Sequence, residues 1–144
     1  MLLEIFRFLH LVGLAFGLGG ATIAAVISRK AEKDKELGKV VMKLMPSISK
    51  VIWLGLILLI ISGGGLSIYV KWPIDKNILL LKHVLVAWLF VIGIFIGSRV
   101  KKIAKLEEKG KPSAEFLRIM KQIKIFSIIN LILWYLTTIL AVFV

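Results

Sequence analysis

The chain has no cysteine among its 144 residues, and that gap removes several chemistries at once. Disulfides, thiolate metal sites, cysteine-ligated iron–sulfur clusters and the C-x-x-C-H attachment of c-type haem are all excluded. Acidic residues are also scarce. Eight Asp and Glu stand against twenty Lys and Arg, giving a formal net charge of +12. Histidine is scarcer still, with only His10 and His83. No glycine-rich dinucleotide fingerprint follows a strand-like segment, which argues against a flavin or NAD site. There is no internal repeat and no low-complexity tract.

What the chain has in abundance is apolar surface. Its hydrophobic fraction is 59% and its mean hydropathy +0.95, too high for a soluble globular domain. Four apolar runs account for this, at about Ile5–Ser28, Pro46–Val70, Ile78–Ser98 and Ile119–Val144. Each exceeds the roughly 20 residues that cross a bilayer core as a helix. Barrel strands would be about half that length and would alternate in polarity. Arg7, near the start of the first run, precedes an apolar stretch in the manner of a secretory signal, but no A-x-A cleavage site follows it. It is therefore expected to be a retained helix. The composition predicts a multi-pass, all-α membrane protein: a single domain over 1–144, folded as an up–down four-helix bundle.

The basic residues are unevenly placed. Arg29–Met45 holds six Lys/Arg and three acids, and Arg99–Lys124 holds nine and three, which leaves five basic residues elsewhere. The positive-inside rule puts both of these loops in the cytoplasm and both termini outside, in a plasma membrane. The ordinary partner of such basic segments is the anionic face of the lipid bilayer, and no nucleic acid is expected. Loop one mixes charge signs and should extend the first two helices, with Pro46 in the first turn of the second span. Trp72 and Pro73 suit a tight outer loop, Gly110 a break after the third helix, and Ser113 an N-cap for the fourth.

Small and polar residues at helical spacing mark the faces expected to point inward. They are His10, Gly13, Gly17, Gly20 and Ala24 on the first helix, and Ser62, Gly65 and Tyr69 on the second. The third carries His83, Ala87, Phe90 and Gly97, and the fourth Ser127, Asn130, Trp134, Thr137 and Thr138. His10 and His83 each lie five residues into a span, on helices expected to run in the same direction. At 1.5 Å per residue both sit about 7.5 Å below the outer edge. Ionisable groups inside a span are costly and point to function.

The pair suits bis-histidine ligation of haem b between helices one and three. "GLAFGLGG" after His10 and "SGGG" at Ser62–Gly65 would supply room for the ring, with Gly13, Gly17 and Gly65 beside it. Trp88, Phe90 and Trp134 would pack around it, and Arg7, Lys71 or Lys82 would meet its propionates. The same histidines could instead hydrogen-bond across a purely structural bundle, with the glycines as packing devices.

"FLHLVG" opening the first span, a lysine opening the third, Gly13 and Gly20, Ala87 and the exit "GSRVKK" together resemble the HemJ-type membrane protoporphyrinogen oxidases. That resemblance implies a haem site built on His10 and Lys82, and electrons passed from a porphyrin-type substrate to quinone or another carrier. "LLIISGGGLSIY" is similar to the second helix of CopD-like copper-resistance membrane proteins, which implies copper handling or transport as the alternative. Among the residues themselves two pairings stay open, His10 with His83 and His10 with Lys82. Neutral imidazole favours the first, because a lysine must lose its proton before it binds iron. The sequence leaves open a homo-oligomer.

Overall fold

The computed structural model describes residues 1–70, 73, 75–108, 110 and 114–143. Within them the chain forms α1 (Leu2–Ala31), α2 (Lys35–Tyr69), α3 (Lys76–Glu108) and α4 (Ala114–Val142). Each is long and apolar enough to cross a membrane. The chain reads as a multi-pass, all-helical membrane protein.

The helices outrun their apolar cores. The 35 residues of α2 span about 52 Å, against a hydrocarbon layer of about 30 Å. The surplus lies at the basic end, the end opposite both termini. There Asp34 caps α2, its carboxylate accepting from the backbone N–H of Glu36 at 3.0 Å and of Leu37 at 3.2 Å. Pro46 therefore lies inside α2 and not in its first turn. The early cap and the helix formers after it outweigh the one backbone bond that a proline removes. Gly110, at φ +71, takes the left-handed conformation that glycine adopts most easily, just past the end of α3. Lys71, Trp72 and Ser113 lie outside the described residues.

Helix α1 packs on α2 and α4, and α3 packs on α4. Helix α3 also meets α2 through Trp53, whose ring lies edge-on to Phe90 at 5.2 Å and over Gly93. The closest approach is that of α1 to α2. A Cβ on Gly13 would stand 2.9 Å from the Gly55 carbonyl oxygen, and one on Gly55 would stand 2.7 Å from that of Gly13. Backbone meets backbone there, which is how small residues let membrane helices associate without a hydrophobic driving force between them. Trp134, 1% exposed, drives its indole onto Gly17 and gathers Ala21, Leu56, Leu59 and Leu89 around it. The hydroxyls of Thr22, Thr137 and Thr138 bond back to the carbonyls of Leu18, Leu133 and Trp134. Such back-bonds satisfy a hydroxyl where no water is at hand.

The basic end is tied by ion pairs. Lys124 of α4 meets Glu32 beyond α1 at 2.9 Å, and Lys102 of α3 meets Glu115 of α4 at 2.9 Å. Lys39 pairs with Glu36 within α2.

The inward faces of α1, α2 and α4 mostly agree with the small-and-polar stripes: Gly13, Gly17, Ser62, Gly65, Trp134 and Thr137 are buried, whereas Tyr69, expected inward at the end of α2, is exposed. Helix α3 differs. His83, Ala87 and Phe90 are exposed, whereas Leu89 and Ile92 are buried and Lys82 is half-buried. Adjacent helical positions point about 100° apart, so the buried stripe of α3 runs beside the one expected.

Candidate functional site

The site begins at the first helix turns from the terminal end, where the glycine contact sets α1 against α2. His10 lies three residues before Gly13, and the antiparallel register brings it level with Ser62. Its Nδ1 is 3.0 Å from the Ser62 hydroxyl oxygen. Ser62 is fully buried and its Oγ also lies 3.3 Å from the Leu59 carbonyl. Among the described residues, Nε2 of His10 has no hydrogen-bond partner.

The ring of His10 faces bare backbone. A Cβ at Gly63 would stand 4.0 Å from its Cε1, and one at Gly64 would meet nothing within 4 Å. Toward the termini the space is closed: Phe6 covers Gly65 at 2.5 Å from where a Cβ would stand, and stacks on Tyr69 with ring centroids 5.8 Å apart. On α3, Lys82 is half-buried.

The expected site residues therefore divide. His10 and Lys82 are both half-buried, on α1 and α3. His83 turns to the exposed side of α3, where its Nδ1 is 2.7 Å from the carbonyl of Leu79 one turn back. Arg7 is exposed on α1. Gly13 and Gly17 do not open space for a ring, because Gly55, Leu59 and Trp134 fill it, and Gly65 is filled by Phe6. Trp134 packs on Gly17, Phe90 on Trp53, and Trp88 points outward at 55% exposed. The open backbone is instead at Gly63 and Gly64, the middle of the "SGGG" run. Ser62 was legible as an inward residue but not as the partner of His10. The signal for that partnership is equal depth on two antiparallel helices joined by one short loop.

The donor set discriminates between metals. Among the described residues there is no cluster of three or more His, Cys, Asp or Glu side chains. A copper ion held by protein groups alone wants several such ligands. A haem brings four ring nitrogens of its own and asks the protein for one or two more. His10 offers one such nitrogen, its Nε2, which has no hydrogen-bond partner among the described residues.

The chain matches no protein-family model, and no curated protein or solved structure is similar to it.

Proposed function

We propose that the protein is a b-type haem-binding redox protein of the plasma membrane, with its termini and its haem site toward the outer face. The observation that carries this reading is His10: one ring nitrogen is held by Ser62 at 3.0 Å, while the other has no partner among the described residues and the ring edge lies near Gly63. A fixed imidazole with a free nitrogen, at membrane depth and next to open backbone, is what an axial ligand requires.

His10 would bind the iron through Nε2. Gly63 and Gly64 would leave room beside it. Lys82 would face it from α3, either as the second nitrogen ligand once deprotonated or as the cation that meets a propionate. Phe6 and Tyr69 would shield the site from the outer surface. A haem bound there supplies one-electron transfer, and the polypeptide supplies orientation, burial and charge around it. A porphyrinogen-like donor and a quinone-type acceptor fit the HemJ-type resemblance.

Purified protein titrated with haemin is expected to develop a Soret band, and His10→Ala is expected to abolish it. His83→Gln should leave it nearly intact. If Lys82 is a ligand, Lys82→Ala will change the low-spin spectrum; if it meets a propionate, affinity will fall and the spectrum will stay. A wild-type protein that takes up no haem overturns the proposal, and copper bound stoichiometrically in its place would favour a copper-handling role.

A further inference from the structure

Two contacts meet at one hydroxyl. Ser62 Oγ lies 3.0 Å from His10 Nδ1 and 3.3 Å from the Leu59 carbonyl oxygen. A serine hydroxyl has a single proton to give and two lone pairs with which to accept. The Leu59 carbonyl can only accept, so it takes the hydroxyl proton. The hydroxyl must then accept from His10, and the proton on that side belongs to Nδ1.

We infer that Ser62 is a positioning residue that locks His10 in its Nδ1–H tautomer, so that Nε2 presents a bare lone pair. The alternative, with Nε2–H and the hydroxyl donating to Nδ1, leaves the hydroxyl without its contact to Leu59. It also leaves the Nε2–H without an acceptor among the described residues. In a membrane interior an unmade hydrogen bond is costly, because no water is at hand to replace it. Ser62 is 0% exposed, so neither water nor lipid headgroup competes for its hydroxyl.

The lock has a consequence for any electrophile that His10 meets. A neutral imidazole can coordinate a metal or accept a proton only through its unprotonated nitrogen. The hydrogen bond made by the other nitrogen decides which one that is. Holding Nδ1–H against a buried oxygen also fixes the ring plane and raises electron donation from Nε2. For a bound haem this would favour the ferric state, and that arm of the inference rests on the haem reading above. The tautomer itself does not.

The test uses full-length protein, ring-15N-labelled at histidine, in lipid nanodiscs at alkaline pH where imidazole is neutral. His83→Gln, which leaves His10 as the one histidine, assigns the signals. The expected spectrum has a protonated Nδ1 and an unprotonated Nε2. Ser62→Ala should shift His10 toward the Nε2–H form, while Ser62→Thr, which keeps the hydroxyl, should restore the wild-type pattern. Helix content by circular dichroism confirms that each variant folds.

A wild-type spectrum with protonated Nε2, or an unchanged tautomer in Ser62→Ala, overturns the lock. With haemin added, Ser62→Ala should lose roughly 10–100-fold in affinity, as losses of a metal ligand's supporting hydrogen bond usually do. Its midpoint potential should rise. If the tautomer is as expected but wild-type protein takes up no haemin, the lock stands and the haem reading fails.

Discussion

The α1–α2 hairpin and helix α3 are built from similarly apolar sequence, yet they are held in different ways. Along α1 and α2 the contact is backbone on backbone at Gly13 and Gly55, and the space over Gly17 and Gly65 is taken by Trp134 and Phe6. Along α3, Gly97 meets nothing within 4 Å, and Gly93 meets only the edge of Trp53. Leu80, Leu81, Val84, Trp88 and Val91 remain exposed. Inside lipid, apolar surface gains little by leaving one apolar neighbour for another, so packing comes from close fit. The hairpin has the small residues that permit such a fit. Helix α3 largely lacks them and is held by a few large side chains.

The sharpest way to break this contrast is at tryptophan. Trp134→Ala should cost about 3 kcal/mol, the low end for a buried tryptophan because lipid and not water adjoins the void. Trp88→Ala, at a position 55% exposed, should cost less than about 0.5 kcal/mol. Reversible unfolding in mixed micelles measures both, and equal losses would mean that α3 is as tightly seated as the hairpin.

Glycine gives the next effect. Gly55→Ala must push α1 off α2, because the added carbon meets the backbone of Gly13 and Gly17. A loss of about 1–3 kcal/mol is expected. Gly19→Ala, with nothing within 4 Å, should be neutral or stabilising by up to about 1 kcal/mol through helix propensity. The same unfolding assay compares them, and a stable Gly55→Ala would show that the helices slide apart cheaply.

A smaller effect separates the two neighbours on α3. Lys82→Met should weaken haemin retention about tenfold, equal to about 1.4 kcal/mol, while His83→Gln should change it less than twofold. Absorbance titration reads both. The reverse order would return the second ligand to His83 and require α3 to rotate when haem binds.

The smallest effect belongs to the basic end. Lys124→Met breaks the pair with Glu32, whose side chains are 56% and 49% exposed. It should cost about 0.2–1 kcal/mol, less in high salt. Topology can be checked at the same end. A cysteine at Gly110 should resist impermeant thiol reagents in intact cells, while one at Asp75 should react; the opposite pattern would invert the proposed orientation.

Much of the architecture was written in the residues themselves. Four apolar runs of spanning length leave helices as the only regular structure that satisfies its own backbone in lipid. Short connections then dictate alternating directions. Glycine spacing along α1 marked its half of the seam, because a missing side chain is a property of the sequence whatever packs against it; Gly55, its counterpart on α2, emerged only from the packing. Three decisions needed the tertiary structure. Which of Lys82 and His83 turns inward depended on the rotation of α3: the two are neighbours about 100° apart on the helix, and only packing against the other helices chooses between them. Which glycines make room for a ligand depended on who fills the rest: Trp134 and Phe6 occupy Gly17 and Gly65, and Gly63 and Gly64 stay open. The meeting of His10 with Ser62, 52 residues apart in the chain, followed from the depth at which Gly13 and Gly55 touch, and register between helices is a property of the pair and not of either sequence alone.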